Sequence, residues 1–144
     1  MKSIKKKIYE ALPSRVTKGY RIACKTIILH IVYPFTYKFF TLPNKLIKNK
    51  VVFIETSFVK ITDSFQLVYK RMKKEGYEIH EEYLLSLQQG SWAYMSRCLC
   101  MLKDISDANY IFLNDVCNIT SCIPLRKESK IFQLWHACGA FKKF

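Results

Sequence analysis

The chain has 144 residues, enough for one domain with a real core plus an appendage, and half of them are hydrophobic, which excludes a disordered tail. Its net charge of +13 is unevenly placed: residues 1–50 carry 12 Lys/Arg against Glu10 alone, and residues 51–144 carry 12 Lys/Arg against 10 Asp/Glu. The basicity belongs to an N-terminal segment, and the rest is close to neutral.

Met1 to Lys7 is basic, but no cleavable small-residue site follows a compact apolar core, so a secretory signal is not expected. From Ser14 a helical period sets Val16, Tyr20, Ala23, Ile27 and Ile31 on one face and Arg15, Lys18, Arg21 and Lys25 on the other. Lys25, His30, Pro34 and Lys38 interrupt the apolar stretch from Ile22 to Phe40, so it suits an interfacial helix better than one that spans a bilayer. Aromatics crowd its end at Tyr33, Phe35, Tyr37, Phe39 and Phe40, where amphipathic rings suit the headgroup level. Lysines beside anionic lipid are each worth about 1 kcal/mol, so an anionic membrane surface is the expected partner of residues 1–49. The competing reading is a solvated helix face, or a face that packs on further protein.

Leu42-Pro43-Asn44 breaks the pattern, and a domain boundary is expected near residue 49. Val51-Val-Phe-Ile54 is the short apolar run of a parallel strand buried on both faces. Thr62-Asp63-Ser64 offers helix caps, Phe65, Val68 and Met72 recur at helical spacing, and Gly76 supplies the stop. Lys70, Arg71, Lys73 and Lys74 fall in the last turns and read as surface charges. Tyr77 to Leu84 forms a second strand, and Ser91 to Lys103 a helix whose face is Trp92, Met95, Leu99 and Leu102. Tyr110–Leu113 is a third strand, Ile119–Lys130 is irregular, and Ile131–Trp135 is a last strand. This order builds an open parallel α/β sheet with right-handed crossovers, in which ligands gather at the carboxyl ends of the strands. Glu55 and His136 both lie there.

The six cysteines, at 24, 98, 100, 117, 122 and 138, show no C-x-x-C spacing, and Cys98-x-Cys100 is too close for a zinc knuckle. They read as reduced thiols of a cytoplasmic protein, and no metal is expected. Cys138 stands near His136, but two residues apart across a turn their side chains need not face each other. Neither a Gly-x-Gly-x-x-Gly nor a Walker loop occurs, so no cofactor site of those types is expected. Bulk positive charge steers toward any polyanion, but no recognition motif supports nucleic acid.

The end of the chain carries the strongest signal. Its apolar run stops at a histidine and passes through small residues into a lysine pair: Trp135-His136-Ala137-Cys138-Gly139-Ala140-Phe141-Lys142-Lys143-Phe144. Here the chain resembles the CDP-glycerol glycerophosphotransferase family, the teichoic-acid and polyol-phosphate polymerases, and the likeness extends back to about Val51. The resemblance implies a Rossmann-like domain over residues 50–144, the acceptor-side half of a glycosyltransferase-B-like fold, ending before the nucleotide-binding domain. It implies transfer of glycerol phosphate or ribitol phosphate from a CDP-polyol donor to a lipid-linked acceptor at the cytoplasmic face of the membrane, with release of CMP. The chain alone is then expected to be inactive.

His136 matches the family's histidine, the implied general base on the acceptor hydroxyl, a step that typically contributes about 10²- to 10⁴-fold. Lys142 and Lys143 either neutralise substrate phosphate or decorate an exposed helix. Glu55 either orients an acceptor hydroxyl or ends a strand, with the second reading favoured. His30 and His80 have no partner set suggesting catalysis. The alternative to an enzyme is a non-catalytic membrane-surface module derived from the same family.

Overall fold

A computed structural model of the chain describes residues 14–85 and 91–133, with the backbone alone described at 14–16. The chain runs through helix α1 (Ser14–Ile27), a π-helical turn (Ile28–Val32), helix α2 (Tyr33–Thr41), strand β1 (Ile47–Glu55) and helix α3 (Asp63–Lys74). Strand β2 (Glu78–Tyr83), helix α4 (Trp92–Ile105), strand β3 (Ala108–Leu113), the short helix α5 (Asn118–Cys122) and strand β4 (Lys130–Gln133) complete it. The four strands form one all-parallel sheet in the order β2-β1-β3-β4.

Central strand β1 explains why both faces of the sheet are covered. Side chains alternate across a strand, so Val51 and Phe53 point to one layer and Val52 and Ile54 to the other; all four are fully buried. On the first face, parallel register lines up Phe53, Phe112 and Phe132 from adjacent strands, with ring centroids 5.0 and 5.1 Å apart, and Phe65 of α3 meets Phe53 edge-on at 5.2 Å. The second face packs Val52 and Ile54 with Cys98, Met101, Leu102 and Ile105 of α4 and with Tyr33 and Tyr37 of α2. Strand β1 begins at Ile47, and the second helix of the N-terminal segment shares its core.

The helix boundaries follow local chemistry. Ser91 caps α4 by accepting the Tyr94 N–H at 3.1 Å, and Gly76 adopts φ +77° just after α3, where a Cβ would be strained. The buried face of α4 is Cys98, Met101, Leu102 and Ile105, whereas Trp92 is 88 % exposed and Leu99 is 39 % exposed. Leu102 of the expected face is buried and Met95 packs against the core, while Cys98, Met101 and Ile105 take the core positions in place of Trp92 and Leu99. The stretch Ile119–Lys130, expected to be irregular, begins instead inside α5 (Asn118–Cys122), which buries Ile119.

The π-helical turn resets the phase of the N-terminal helix. Cys24 before it and Ile28 at its start face the domain, and Tyr33 and Tyr37 do so after it, so the spacing is four, five, four. Arg126 then fastens α2 to the sheet: its guanidinium donates to the carbonyls of Ser106 at 2.9 Å, Thr41 at 2.5 Å and Asn44. Lys50, 4 % exposed, is neutralised by Asp107 at 2.7 Å and Asp104 at 3.4 Å beside the amino end of β3.

Candidate functional site

The carboxyl ends of β1, β2 and β3 open into a cavity of about 720 Å³, whose other wall is the N-terminal helix. Thr56 and Ser57 follow β1, Leu84 follows β2, and Asp115 to Ile119 follow β3. Tyr94 and Met95 come from the first turn of α4. From α1 and the π-helical turn come Tyr20, Arg21, Cys24, Lys25, Ile28 and Leu29. The volume lies within the roughly 300–1,000 Å³ of small-molecule clefts, and its place is the one that open parallel sheets use for ligands.

Loop geometry at this edge is set by Glu55, the last residue of β1, which is fully buried. Thr62 donates both its N–H and its Oγ1–H to Oε1 of Glu55, each at 2.8 Å, and Asn114 donates Nδ2–H to Oε2 at 2.8 Å. One carboxylate thus joins the loop after β1 to the loop after β3. Its backbone carbonyl also accepts the Leu84 N–H at 2.7 Å, tying in the end of β2. Glu55 holds the edge together from behind the cavity lining.

The floor of the cleft is neutral. Burial pushes the Tyr33 and Tyr94 hydroxyls and the Cys117 thiol above their ordinary ranges, so all three stay protonated near pH 7. Tyr33 donates its hydroxyl to Sδ of Met95 at 3.5 Å. Charge enters from the walls: Arg21 and Lys25 on the helix, and Asp115, whose Oδ1 accepts the Val116 N–H at 2.6 Å. Among the described residues no group of three or more His, Cys, Asp or Glu is arranged to hold a metal ion.

Of the residues singled out in the sequence, Glu55 stands at the expected strand end; His136, Lys142 and Lys143 lie outside the described residues. Gln133, the last described residue, pairs with Leu113 and so lies at the carboxyl edge of the sheet. Of the cleft residues, Thr56 and Ser57 carried no functional signal in the sequence, and Arg21 and Lys25 were read as part of a basic face meeting anionic lipid. Strand and helix periods place them at element ends or on a polar face, and only the tertiary fold makes them opposing walls.

Residues 20–42 present a second surface. Ile27, Ile31, Phe35, Phe39 and Leu42 recur every three or four residues and are 51 to 77 % exposed, so the apolar stripe faces outward. Among the described residues no helix is long and apolar enough to cross a membrane.

An open, all-parallel sheet with a cleft at its carboxyl edge defines a Rossmann-like α/β domain. The sequence matches the CDP-Glycerol:Poly(glycerophosphate) glycerophosphotransferase family over residues 36–144, and the chain belongs to that family. It is 31 % identical over 114 residues to the teichoic acid poly(ribitol-phosphate) polymerase of Bacillus spizizenii, an alignment covering 78 % of this chain and 18 % of that protein. It is 30 % identical over 123 residues to the teichoic acid ribitol-phosphate primase of the same organism, covering 83 % and 31 % respectively. A third relative, the Staphylococcus aureus teichoic acid ribitol-phosphate polymerase TarL, is 28 % identical over 111 residues, covering 74 % and 19 %. The chain therefore spans less than a third of the length of these curated relatives.

Proposed function

We propose that the chain is the acceptor-side part of a transferase that moves ribitol phosphate or glycerol phosphate from a CDP-polyol to a teichoic-acid-type acceptor, releasing CMP. The observation that carries this reading is a cleft at the carboxyl edge of the sheet in a chain whose relatives are ribitol-phosphate polymerases and a primase. An acceptor hydroxyl attacks the phosphorus next to the donor's polyol. The new O–P bond forms as the bridging P–O bond to CMP breaks, and the hydroxyl proton passes to the imidazole of His136. A neutral histidine suits that role because its ordinary pKa of about 6.5 lies near working pH. His136 follows Gln133, the last described residue at the carboxyl edge, by three positions in the sequence. Lys142 and Lys143 balance charge on the transferred phosphate. Glu55 is a positioning residue, acting through Thr62 and Asn114 rather than on substrate.

In this reading the cytidine of the donor is held by a further domain, so the 144 residues alone release no CMP. The outward stripe of α1 and α2 lies on the cytoplasmic face of the membrane and keeps the cleft near a lipid-linked acceptor. The same stripe favours one competing reading, a membrane-surface module without chemistry.

Fusing the chain to the part of the B. spizizenii primase that follows the aligned segment separates the two. The folded chimera is expected to release CMP from a CDP-polyol in the presence of acceptor, and His136→Ala in the chimera to lower that rate by about 10²-fold or more. A chimera that melts cooperatively yet releases no CMP, beside an active primase, would overturn the enzyme reading.

A further inference from the structure

The N-terminal helix has two faces with different chemistry, and the inner one bears on ligand binding. Arg21 and Lys25 are one helical turn apart, which sets their Cβ atoms about 5–6 Å apart on one side of α1, and both line the cavity. Across from them stand the hydroxyls of Thr56 and Ser57 and the amide of Asn118. A pair of cations on one wall and neutral hydrogen-bonding groups on the other is complementary to a ligand that alternates anionic and hydroxylated parts. Asp115 and a neutral floor complete the lining beside these two cations. The cavity of about 720 Å³ is deep enough for more than a single small anion.

We propose that this cleft binds a polyol-phosphate segment, with Arg21 and Lys25 of α1 on its phosphate and Thr56, Ser57 and Asn118 on its hydroxyls. The helix is then a wall of the acceptor site and not only a membrane contact. The identity of the ligand as acceptor rests on the proposed function; the binding itself does not require catalysis. A phosphodiester reaching the cleft meets two charge-assisted donors that approach from the same helix whose outer side carries the apolar stripe.

The test is binding of a synthetic ribitol-phosphate dimer to the full chain, followed by amide NMR and calorimetry, with ribitol, inorganic phosphate and CMP as comparison probes. Amide shifts are expected at Thr56, Ser57 and Asn118, with the dimer tighter than ribitol or phosphate. Arg21→Gln and Lys25→Gln should each weaken the dimer by about three- to tenfold, since both are solvent-accessible charge-assisted donors. Lys73→Gln with Lys74→Gln removes two charges from the end of α3, more than either single variant, and should change nothing. Circular dichroism of each variant separates lost binding from lost folding. Equal weakening by the α3 pair would mean bulk electrostatics and would overturn the proposal. So would tighter binding of CMP than of the dimer, which would make the cleft a nucleotide site. Dimer binding as expected beside an inactive folded chimera would leave this site standing and remove the enzyme reading.

Discussion

Strand β1 and the N-terminal helix are both apolar at regular intervals, yet their fates in the fold are opposite. Val51 to Ile54 disappear completely into two layers, while Ile27, Ile31, Phe35, Phe39 and Leu42 stay on the surface. The difference lies in neighbours. The strand has a hydrogen-bonded partner on each side and a helix layer on each face, whereas the helix offers the sheet its narrower side, Cys24, Ile28, Tyr33 and Tyr37. Periodicity shows that a stripe exists; which material covers it is a separate question. In this chain the answer bears on function, because the inward side of α1 carries Arg21 and Lys25 into the cleft and the outward side is left for a surface of another kind.

The contrast can be broken most severely at Phe53, which is fully buried against Phe112, Phe65 and Tyr69. Phe53→Ala should cost about 3–5 kcal/mol in chemical denaturation, enough to consume much of the stability of a domain this size. Glu55→Gln comes next: an amide replaces a buried carboxylate that accepts three hydrogen bonds, and a loss of about 1–3 kcal/mol is expected, with faster amide exchange at Thr62.

A smaller effect is expected at Glu82. Burial, reinforced by the neighbouring Asp104 carboxylate and only partly offset by His80 and Arg97, pushes its carboxyl from 4.5 up to about 7. The folded state thus holds a proton that the unfolded chain has released. The stability it contributes is complete below about pH 4.5 and is lost as pH rises through about 7. Thermal melts between those limits should show this slope, and Glu82→Gln should flatten it; an unchanged slope would assign it to other groups.

The smallest stability change is expected at Phe35, 73 % exposed. Phe35→Ser should leave the melting curve within about 0.5 kcal/mol of the parent but reduce flotation with anionic vesicles. Strong destabilisation would show that the outer stripe is part of the fold.

The sheet was legible in the sequence because its strands are short runs of β-branched and aromatic residues bounded by turns: Val51–Ile54 and Tyr110–Leu113 both lie inside observed strands, and Ser91 and Gly76 mark helix ends as expected. The face of α4 was legible only in part: Leu102 is buried as its spacing suggests, but Cys98, Met101 and Ile105, at the same period in another phase, take the core in place of Trp92 and Leu99. Arg126 could not be anticipated either, as its partners are backbone carbonyls 20 to 85 residues away. For the candidate site, the position of Glu55 was readable and its work was not: its partners Thr62 and Asn114 stand 7 and 59 residues along the chain. Arg21 and Lys25 read in the sequence as part of a basic face meeting anionic lipid, whereas in the fold they line the cleft at the strand ends.

The central claim is that His136 and the carboxyl-edge cleft form one site. Proton NMR of the imidazole ring tests it most directly, with the His136 resonance identified among the three histidines by comparison with His136→Gln. On saturation with the ribitol-phosphate dimer, the account expects the His136 ring signal to shift while that of His80 stays in place. A ring that ignores a ligand already bound in the cleft would contradict it.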